Sequence, residues 1–239
     1  MPTPWRALCI AVLAAMATGA SCGAQTADET LKAFAVHVAR TPLPDWGAGA
    51  GIYLGDGLVL TAAHVVGQSW LTRPRVITGA ATYTARAVKE GQFERTDLTL
   101  LTVEGPIPQR LALRHLSLCG ADSRPGEEVV SVTPETTVRT KIVPPGQLPP
   151  DARQFSPAFA SVAQTGNSGS GVFDVQRRCL LGIVSRKISL TGGRSDHGGA
   201  MPRDIAKYFV PASAIAAFLP ADVAAKVVPD RTPAAAAAQ

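Results

Sequence analysis

A serine lies among glycines at residues 166–171, where the chain reads Gly-Asn-Ser-Gly-Ser-Gly. Glycine accepts positive φ angles that a residue with a Cβ resists, so this stretch predicts a sharp turn. Such a turn can aim backbone N–H groups at one point beside a hydroxyl, which is what a developing oxyanion needs. Ser168 is therefore a candidate nucleophile. The N–H groups of Gly166 and Ser168, on either side of Asn167, are the candidate oxyanion donors.

A serine hydroxyl needs a base that takes its proton and a third group that orients the base. His64 ends the run Leu-Val-Leu-Thr-Ala-Ala-His at residues 58–64, and Asp97 begins the run Asp-Leu-Thr-Leu-Leu at residues 97–101. Both runs have the apolar character of strands. The order His64, Asp97, Ser168 is that of the chymotrypsin type of hydrolase, whereas subtilisin and the α/β-hydrolases use other orders.

Four motifs together make the chain resemble a trypsin-like serine protease of the bacterial type. They are Thr-Ala-Ala-His, Asp-Leu-Thr-Leu-Leu, Gly-Asn-Ser-Gly-Ser and Leu-Gly-Ile-Val-Ser, the last at residues 181–185. The resemblance implies an all-β, chymotrypsin-like fold of two antiparallel six-stranded β-barrels with a C-terminal helix. It also implies a serine endopeptidase with the triad His64, Asp97 and Ser168, a protein or peptide substrate, an acyl-enzyme intermediate, and no metal or organic cofactor.

The same resemblance implies a substrate pocket made of two segments. Its residues are Val162, Ala163, Gln164, Thr165, Ser185, Arg186 and Lys187. Val162 stands where trypsins carry an aspartate, so little cleavage after Lys or Arg is expected. An apolar floor favours a small or medium apolar side chain at the cleavage site, whereas Lys187 and Lys207 leave room for an acidic preference.

The first 24 residues have the pattern of a secretory signal peptide. A positively charged start precedes an apolar run that is too short to span a bilayer comfortably, and small residues follow it. We expect cleavage after Ala24, and cleavage after Ala20 is an alternative. Attachment of a lipid to Cys22 is a less favoured alternative, because Gly19 stands where a lipoprotein signal usually has leucine. The sequence therefore predicts an exported, periplasmic or extracellular protein without a membrane span.

Two of the four cysteines, Cys119 and Cys179, lie beyond this leader. An even pair in an oxidising compartment is typical of a disulfide. By the family resemblance, Cys119 lies at the start of the second half and Cys179 in a turn before a strand, two places that could approach each other. A disulfide is expected, and two buried free thiols are the alternative.

The net charge of +5 does not indicate nucleic-acid binding, because Lys and Arg are scattered among the acids without a basic run or interleaved aromatic residues. After the leader, we expect an N-terminal barrel at residues 25–110 with His64 and Asp97. A C-terminal barrel with Ser168 and a terminal helix is expected at 111–228, and a flexible tail at 229–239. No peptide-binding PDZ domain is expected.

Two further expectations concern the second half. Residues 186–206 are rich in glycine and charge and predict a long loop. Residues 212–227 predict a terminal helix that Pro220 kinks or interrupts.

Two other functions share this sequence pattern. A catalytically idle relative would keep the barrels as a binding module, and an esterase would use the same triad on ester bonds.

Overall fold

The computed structural model describes residues 27–41, 49–79, 81–107, 109–160, 168–190 and 203–228. The leader with Cys22, the oxyanion residues Gly166 and Asn167, and the tail lie outside the described residues. The same holds for four pocket residues, which are Val162, Ala163, Gln164 and Thr165. Within the described ranges, no helix is long and apolar enough to cross a membrane.

Among the described residues, the structure contains twelve strands, a helical stretch at residues 27–29 and four further short helices. The strands are β1 (Ala35–Thr41), β2 (Gly49–Gly55), β3 (Leu58–Thr61), β4 (Arg73–Thr78), β5 (Ala81–Glu90), β6 (Thr99–Val103), β7 (Glu128–Val132), β8 (Thr137–Lys141), β9 (Ala158–Phe159), β10 (Gly171–Asp174), β11 (Leu180–Leu190) and β12 (Arg203–Pro211). The helices are α1 (Ala63–Val66), α2 (Gln109–Ala112), α3 (Ala212–Phe218) and α4 (Ala221–Val227). Turns of 3₁₀ helix occur at Thr30–Phe34, Pro145–Gln147 and Pro150–Ala152.

The first sheet closes into a barrel with the strand order β1-β2-β3-β6-β5-β4. It closes because β1 pairs antiparallel with both β2 and β4. On β1, Val36 and Val38 are buried at the spacing of two that a strand gives to one face. They pack inside the barrel with Tyr53, Val59 and Leu101. Closure leaves no strand edge of this sheet unpaired.

The second sheet has six antiparallel strands in the order β8-β7-β10-β11-β12-β9. Its two edges meet, because Ile142 forms a bridge with Phe159 and the N–H of Val143 donates to the carbonyl of Ala158 over 2.8 Å. Phe159 is buried in the interior with Val172 and Phe209. The predicted all-β fold with two six-stranded antiparallel sheets is confirmed.

A third apolar cluster joins the two sheets. Leu60 and Leu100 from the first sheet are buried with Phe173 and Ile183 from the second. The C-terminal helices α3 and α4 add their apolar faces to the same cluster. The helix predicted for residues 212–227 is interrupted at Pro220, as expected, because proline lacks the N–H that a continuous helix requires.

The prediction of a long loop at residues 186–206 is wrong at both of its ends. β11 continues to Leu190, and β12 already begins at Arg203. The paired strands supply backbone hydrogen bonds that override the weak strand propensity of charged residues. This extension places Lys187 on a strand instead of in a loop, where it is paired with Lys207 of β12.

Candidate active site

The register of two neighbouring strands brings His64 and Asp97 together. β3 pairs antiparallel with β6, and Thr61 at the end of β3 lies opposite Thr99 at the start of β6. His64 follows β3 in the one-turn helix α1, and Asp97 lies two residues before β6. The end of one antiparallel strand meets the start of its neighbour, so both side chains emerge at the same rim of the barrel.

Asp97 accepts three hydrogen bonds from two residues. Its Oδ2 accepts from His64 Nδ1 over 2.8 Å and from the Ser185 hydroxyl over 2.6 Å. Its Oδ1 accepts from the backbone N–H of His64 over 3.1 Å. An ionised carboxylate only accepts, so Nδ1 of His64 carries the proton and Nε2 is the acceptor of the neutral ring.

Burial and hydrogen bonding act against each other on the Asp97 carboxyl. The side chain is 2% exposed, and burial alone raises a carboxyl pKa because it penalises the charge. The hydrogen bonds from His64 and Ser185 outweigh that burial and hold the pKa of Asp97 below its ordinary value. His64, by contrast, keeps 32% of its side chain exposed. The pair thus joins a buried anion to an imidazole that solvent or substrate can reach.

The backbone of Ser168 and Gly169 lies between the two sheets. The N–H of Ala50 on β2 donates to the carbonyl of Ser168 over 2.8 Å, and the N–H of Gly169 donates to the carbonyl of Val184 on β11 over 2.8 Å. Gly169 has φ = 85°, and a Cβ there would lie 1.9 Å from the Ala50 carbonyl oxygen. Only glycine fits this position, which agrees with the sharp turn that the sequence predicted.

The backbone of Ser168 also lies beside the helix of His64. A Cβ on Gly49 would be 2.6 Å from both the Ser168 carbonyl oxygen and the side chain of Val65. The Ser168 carbonyl and the Val65 side chain therefore both lie next to Gly49. The Ser168 hydroxyl itself donates to the carbonyl of Ser185 over a long 3.3 Å. Ser185 thus contacts both Asp97 and Ser168, and it connects two residues that the sequence places on different sheets.

A comparison with models of protein families identifies the family of the chain. Residues 49–183 match the model of the trypsin-like peptidase domain, which is more than half of the chain. The chain belongs to the trypsin-like peptidases. The matched segment begins with β2 and ends within β11, so it includes His64, Asp97 and Ser168. A search of curated protein sequences found no significant match.

Solved structures of proteases share the fold. The active form of Rv3671c protease from M. tuberculosis is 18% identical, with a TM-score of 0.56 over 85% of this chain and 84% of the other. The apo MamO protease domain from Magnetospirillum magneticum is 20% identical, with a TM-score of 0.54 over 80% and 98%. The serine protease of a human pathogenic astrovirus is 17% identical, with a TM-score of 0.51 over 79% and 94%. At these identities the likeness concerns the fold alone.

An aromatic and cationic stack lies beside His64 in this trypsin-like peptidase. The ring of Phe93 contacts the His64 ring edge-on, with centroids 5.2 Å apart. The Arg186 guanidinium lies 4.2 Å from the Phe93 ring centre and 4.9 Å from that of Phe155. Arg186 also donates to the carbonyl of Phe93 over 2.8 Å. This stack forms one wall next to the base.

The predicted pocket residues that the structure describes lie along one strand. Ser185, Arg186 and Lys187 follow one another on β11, and Lys187 forms an ion pair of 2.8 Å with Asp204 on β12. The sequence did not reveal that Phe93 and Phe155 stack with Arg186 beside His64. It assigned Ser185 to the pocket but did not reveal its hydrogen bond to Asp97. The motif ending in Ser185 was visible in the sequence, but its bond to Asp97 spans 88 residues and two sheets.

The structure joins Cys119 and Cys179 in a disulfide that closes a sequence separation of 60 residues. The predicted disulfide is therefore present. Cys119 follows Leu118, which forms an isolated bridge with Leu180. That bridge holds the two cysteines next to each other.

Proposed function

We propose that this trypsin-like peptidase is an exported serine endopeptidase whose catalytic groups are Ser168, His64 and Asp97. The observation that carries the proposal is the hydrogen-bonded Asp97, which holds His64 Nδ1 at 2.8 Å and leaves Nε2 as the acceptor. A base oriented in this way by a buried carboxylate is the arrangement that activates a serine. The backbone of Ser168 is tied to both sheets beside the helix of that base.

The first half of the reaction forms the acyl-enzyme. The Ser168 hydroxyl exchanges the Ser185 carbonyl for His64 Nε2 by rotation about its Cα–Cβ bond. The 3.3 Å contact of the hydroxyl with the Ser185 carbonyl is long for an O–H···O hydrogen bond, so little is lost when the hydroxyl changes its acceptor. Ser168 Oγ then attacks the peptide carbonyl carbon while His64 takes the proton. The backbone N–H groups of Gly166 and Ser168, around Asn167, stabilise the oxyanion.

Collapse of the tetrahedral intermediate breaks the C–N bond, and His64 gives its proton to the leaving amine. In the second half, His64 takes a proton from water as the water oxygen bonds to the acyl carbon, and it gives that proton to Ser168 Oγ as the ester bond breaks and the acid product leaves. Asp97 stabilises the imidazolium that forms in both halves and does not itself become protonated. The residues on this path supply all the proton transfers of the hydrolysis.

The Cys119–Cys179 disulfide and the apolar leader support the exported location, because disulfides persist in oxidising compartments. Intact-mass measurement of protein recovered from the periplasm or medium tests this part of the proposal. Cleavage after Ala24 and the absence of alkylatable thiols before reduction are expected. A chain that keeps its leader, or a mature chain with two alkylatable thiols before reduction, would contradict it.

Labelling by a fluorophosphonate tests the chemistry. The wild type should bind the probe at Ser168, and Ser168→Ala should not bind it. Ser170→Ala is the matched control, because Ser170 lies in the same stretch but is fully buried and should leave labelling intact. A wild type that stays unlabelled at high probe concentration would make the protein an idle binding module.

A diverse peptide library and a p-nitrophenyl ester then separate the two reactive alternatives. Hydrolysis of internal peptide bonds is expected, and Ser168→Ala should lose it. If the protein reacts with the probe at Ser168 and, in the absence of the probe, hydrolyses the ester but leaves every peptide intact, it is an esterase.

A further inference from the structure

A lysine that the proposed chemistry does not use is buried near the site. Lys207 lies on β12 and is 2% exposed, whereas the side chain of Lys187 is 37% exposed. Lys207 is paired in register with Lys187 on β11 and with Phe159 on β9. Its strand, β12, therefore lies between β11 and β9, and β11 carries the predicted pocket residues Ser185, Arg186 and Lys187.

The alternation of β12 defines the face from which the lysine projects. Phe209, two residues further on, and Phe159, directly opposite, belong to the interior core of the second sheet. Ala206 and Tyr208 pack on the other face with Ile188. Because residues two apart on a strand share a face, Lys207 projects from the same face as Phe209.

The distance along β11 from Ser185 to Lys187 fits the length of a substrate side chain. The Ser168 hydroxyl contacts the carbonyl of Ser185, and Lys187 lies two residues further along β11. Two residues of a strand span about 6.6 Å. Extended side chains of a lysine and a glutamate together cover such a distance. When the carbonyl of a substrate residue lies at Ser168, its side chain can therefore reach as far along β11 as Lys187, the residue paired with Lys207.

The charges at this level favour an anion. Among the residues that the structure describes on β11 and β12 here, Lys187 and Lys207 contribute two cations and Asp204 contributes one carboxylate. Both oxygens of Asp204 already accept a hydrogen bond, from Lys187 Nζ over 2.8 Å and from the Ser189 hydroxyl over 2.7 Å. Lys207 makes further contacts of its own, which a substrate carboxylate would join or exchange.

The cost of burying Lys207 also favours an anionic ligand. Burial lowers the pKa of the Lys207 amine, Lys187 lowers it further, and Asp204 opposes both. A carboxylate that approaches a buried amine favours its protonated form and offsets the loss of hydration.

We propose that Lys207 is a specificity-determining residue that binds the carboxylate of an acidic residue, glutamate or aspartate, immediately before the cleaved bond. This inference rests on the proposed endopeptidase function and names its substrate class. It selects the acidic preference over the small apolar one. The alternative is that Lys207 only stabilises the local fold.

Four peptides that differ at one position test the inference on the wild-type protein. The residue before the cleaved bond is Glu, Gln, Leu or Lys, and kcat/KM is measured for each. A hydrogen bond between charged groups leads us to expect a preference of roughly 10- to 100-fold for Glu over its neutral isostere Gln. Equal rates for Glu and Gln, or faster cleavage after Leu or Lys, would overturn the assignment.

Two variants separate a substrate contact from a structural role. Lys207→Met keeps the length and apolar stem of the side chain and should abolish the preference for Glu over Gln while cleavage after Gln continues. Lys226→Gln is the matched control, because Lys226 lies on helix α4 in an exposed ion pair with Asp56, and it should change the Glu to Gln ratio by less than about threefold. A folded Lys207→Met that still prefers Glu would overturn the assignment. If that variant does not fold, the wild-type peptide series decides alone.

The two proposals fail in different ways. If Ser168 takes up the fluorophosphonate and peptides are cleaved without preference for acidic residues, the function stands and the role of Lys207 falls. If no peptide is cleaved and Ser168 stays unlabelled, both proposals fall.

Discussion

His64 is held at 2.8 Å by a buried carboxylate, whereas the Ser168 hydroxyl donates over 3.3 Å to a backbone carbonyl. The strands beneath each group explain the difference. β3 and β6 fix His64, the proposed base, beside Asp97, while the two sheets fix only the backbone of Ser168, the proposed nucleophile. The base is thus oriented before substrate arrives, and the serine side chain keeps the freedom to change its acceptor.

Removing either group should have the largest effect. Ser168→Ala and His64→Ala should each lower kcat by about a millionfold, the scale seen when one member of such a unit is removed. Peptide hydrolysis at a protein concentration determined by absorbance measures this effect. His37→Ala is the matched control, since His37 forms an exposed pair with Glu135 over 3.0 Å, and its activity should remain. A Ser168→Ala protein that works at the wild-type rate would show that the glycine-rich stretch has been misread.

Asp97→Asn tests how His64 is oriented without removing the imidazole itself. An amide in place of the carboxylate favours the wrong tautomer of His64, so kcat should fall by about four orders of magnitude. The melting temperature should show that the fold persists. Asp122→Asn, at an exposed aspartate that binds Ser213, should leave kcat unchanged. A fall of less than tenfold for Asp97→Asn would mean that the carboxylate does not orient the base.

The places of His64 and Asp97 in the site could be predicted from the sequence, because local patterns indicate them. His64 and Asp97 sit at the ends of apolar runs, and short-range strand patterns carry that information. The bond from Ser185 to Asp97 and the stack of Phe93, Arg186 and Phe155 depend on contacts between distant segments, which no local pattern encodes. The extension of β11 to Leu190 was missed for a related reason, because pairing with β12 overrides local propensity.

Breaking the disulfide should change stability without changing the chemistry. Replacing Cys119 and Cys179 together by serine should lower the free energy of unfolding by about 4 kcal/mol, because the link no longer restrains the unfolded chain across 60 residues. Urea unfolding followed by circular dichroism measures this loss. Below the unfolding transition, kcat should match the wild type. Unchanged stability would show that the disulfide places no useful restraint on the unfolded chain.

Ser185→Ala should weaken the hold on Asp97 by removing its 2.6 Å hydrogen bond. The loss of one hydrogen bond to a charged group should lower kcat/KM by roughly 10- to 100-fold. The pKa of Asp97 should rise, since Ser185 is one of the groups that lower it. A carboxyl with a lowered pKa adds stability above its unfolded pKa and loses it as pH falls through the folded pKa.

Acid unfolding of Ser185→Ala should therefore begin at a higher pH than in the wild type. Ser189→Ala on the same strand is the control, because its hydroxyl bonds to Asp204 instead. Its kcat/KM should stay within about twofold of the wild type, as expected of a surface substitution. Identical acid unfolding of the wild type and Ser185→Ala would show that this bond does not stabilise the Asp97 anion.

The smallest effect is expected at the wall beside the base. Phe93→Ala removes the ring that contacts His64 and stacks on Arg186, and an exposed cation–π contact is worth about 0.5 to 1 kcal/mol. A change of two- to fivefold in KM or kcat is expected from steady-state kinetics. Trp70→Ala, at an exposed aromatic residue, should change neither constant. If both variants have the same KM and kcat as the wild type, the stack of Phe93 on Arg186 contributes nothing to substrate binding or turnover.

The double variant His64→Ala with Ser168→Ala tests most directly whether the differently held base and nucleophile act as one unit. Its kcat is compared with those of the two single variants, with folding checked by melting temperature. Because losses within a catalytic unit are strongly non-additive, the double variant should be little slower than either single one. If the two losses instead multiply, His64 and Ser168 contribute independently, and the proposed mechanism is wrong.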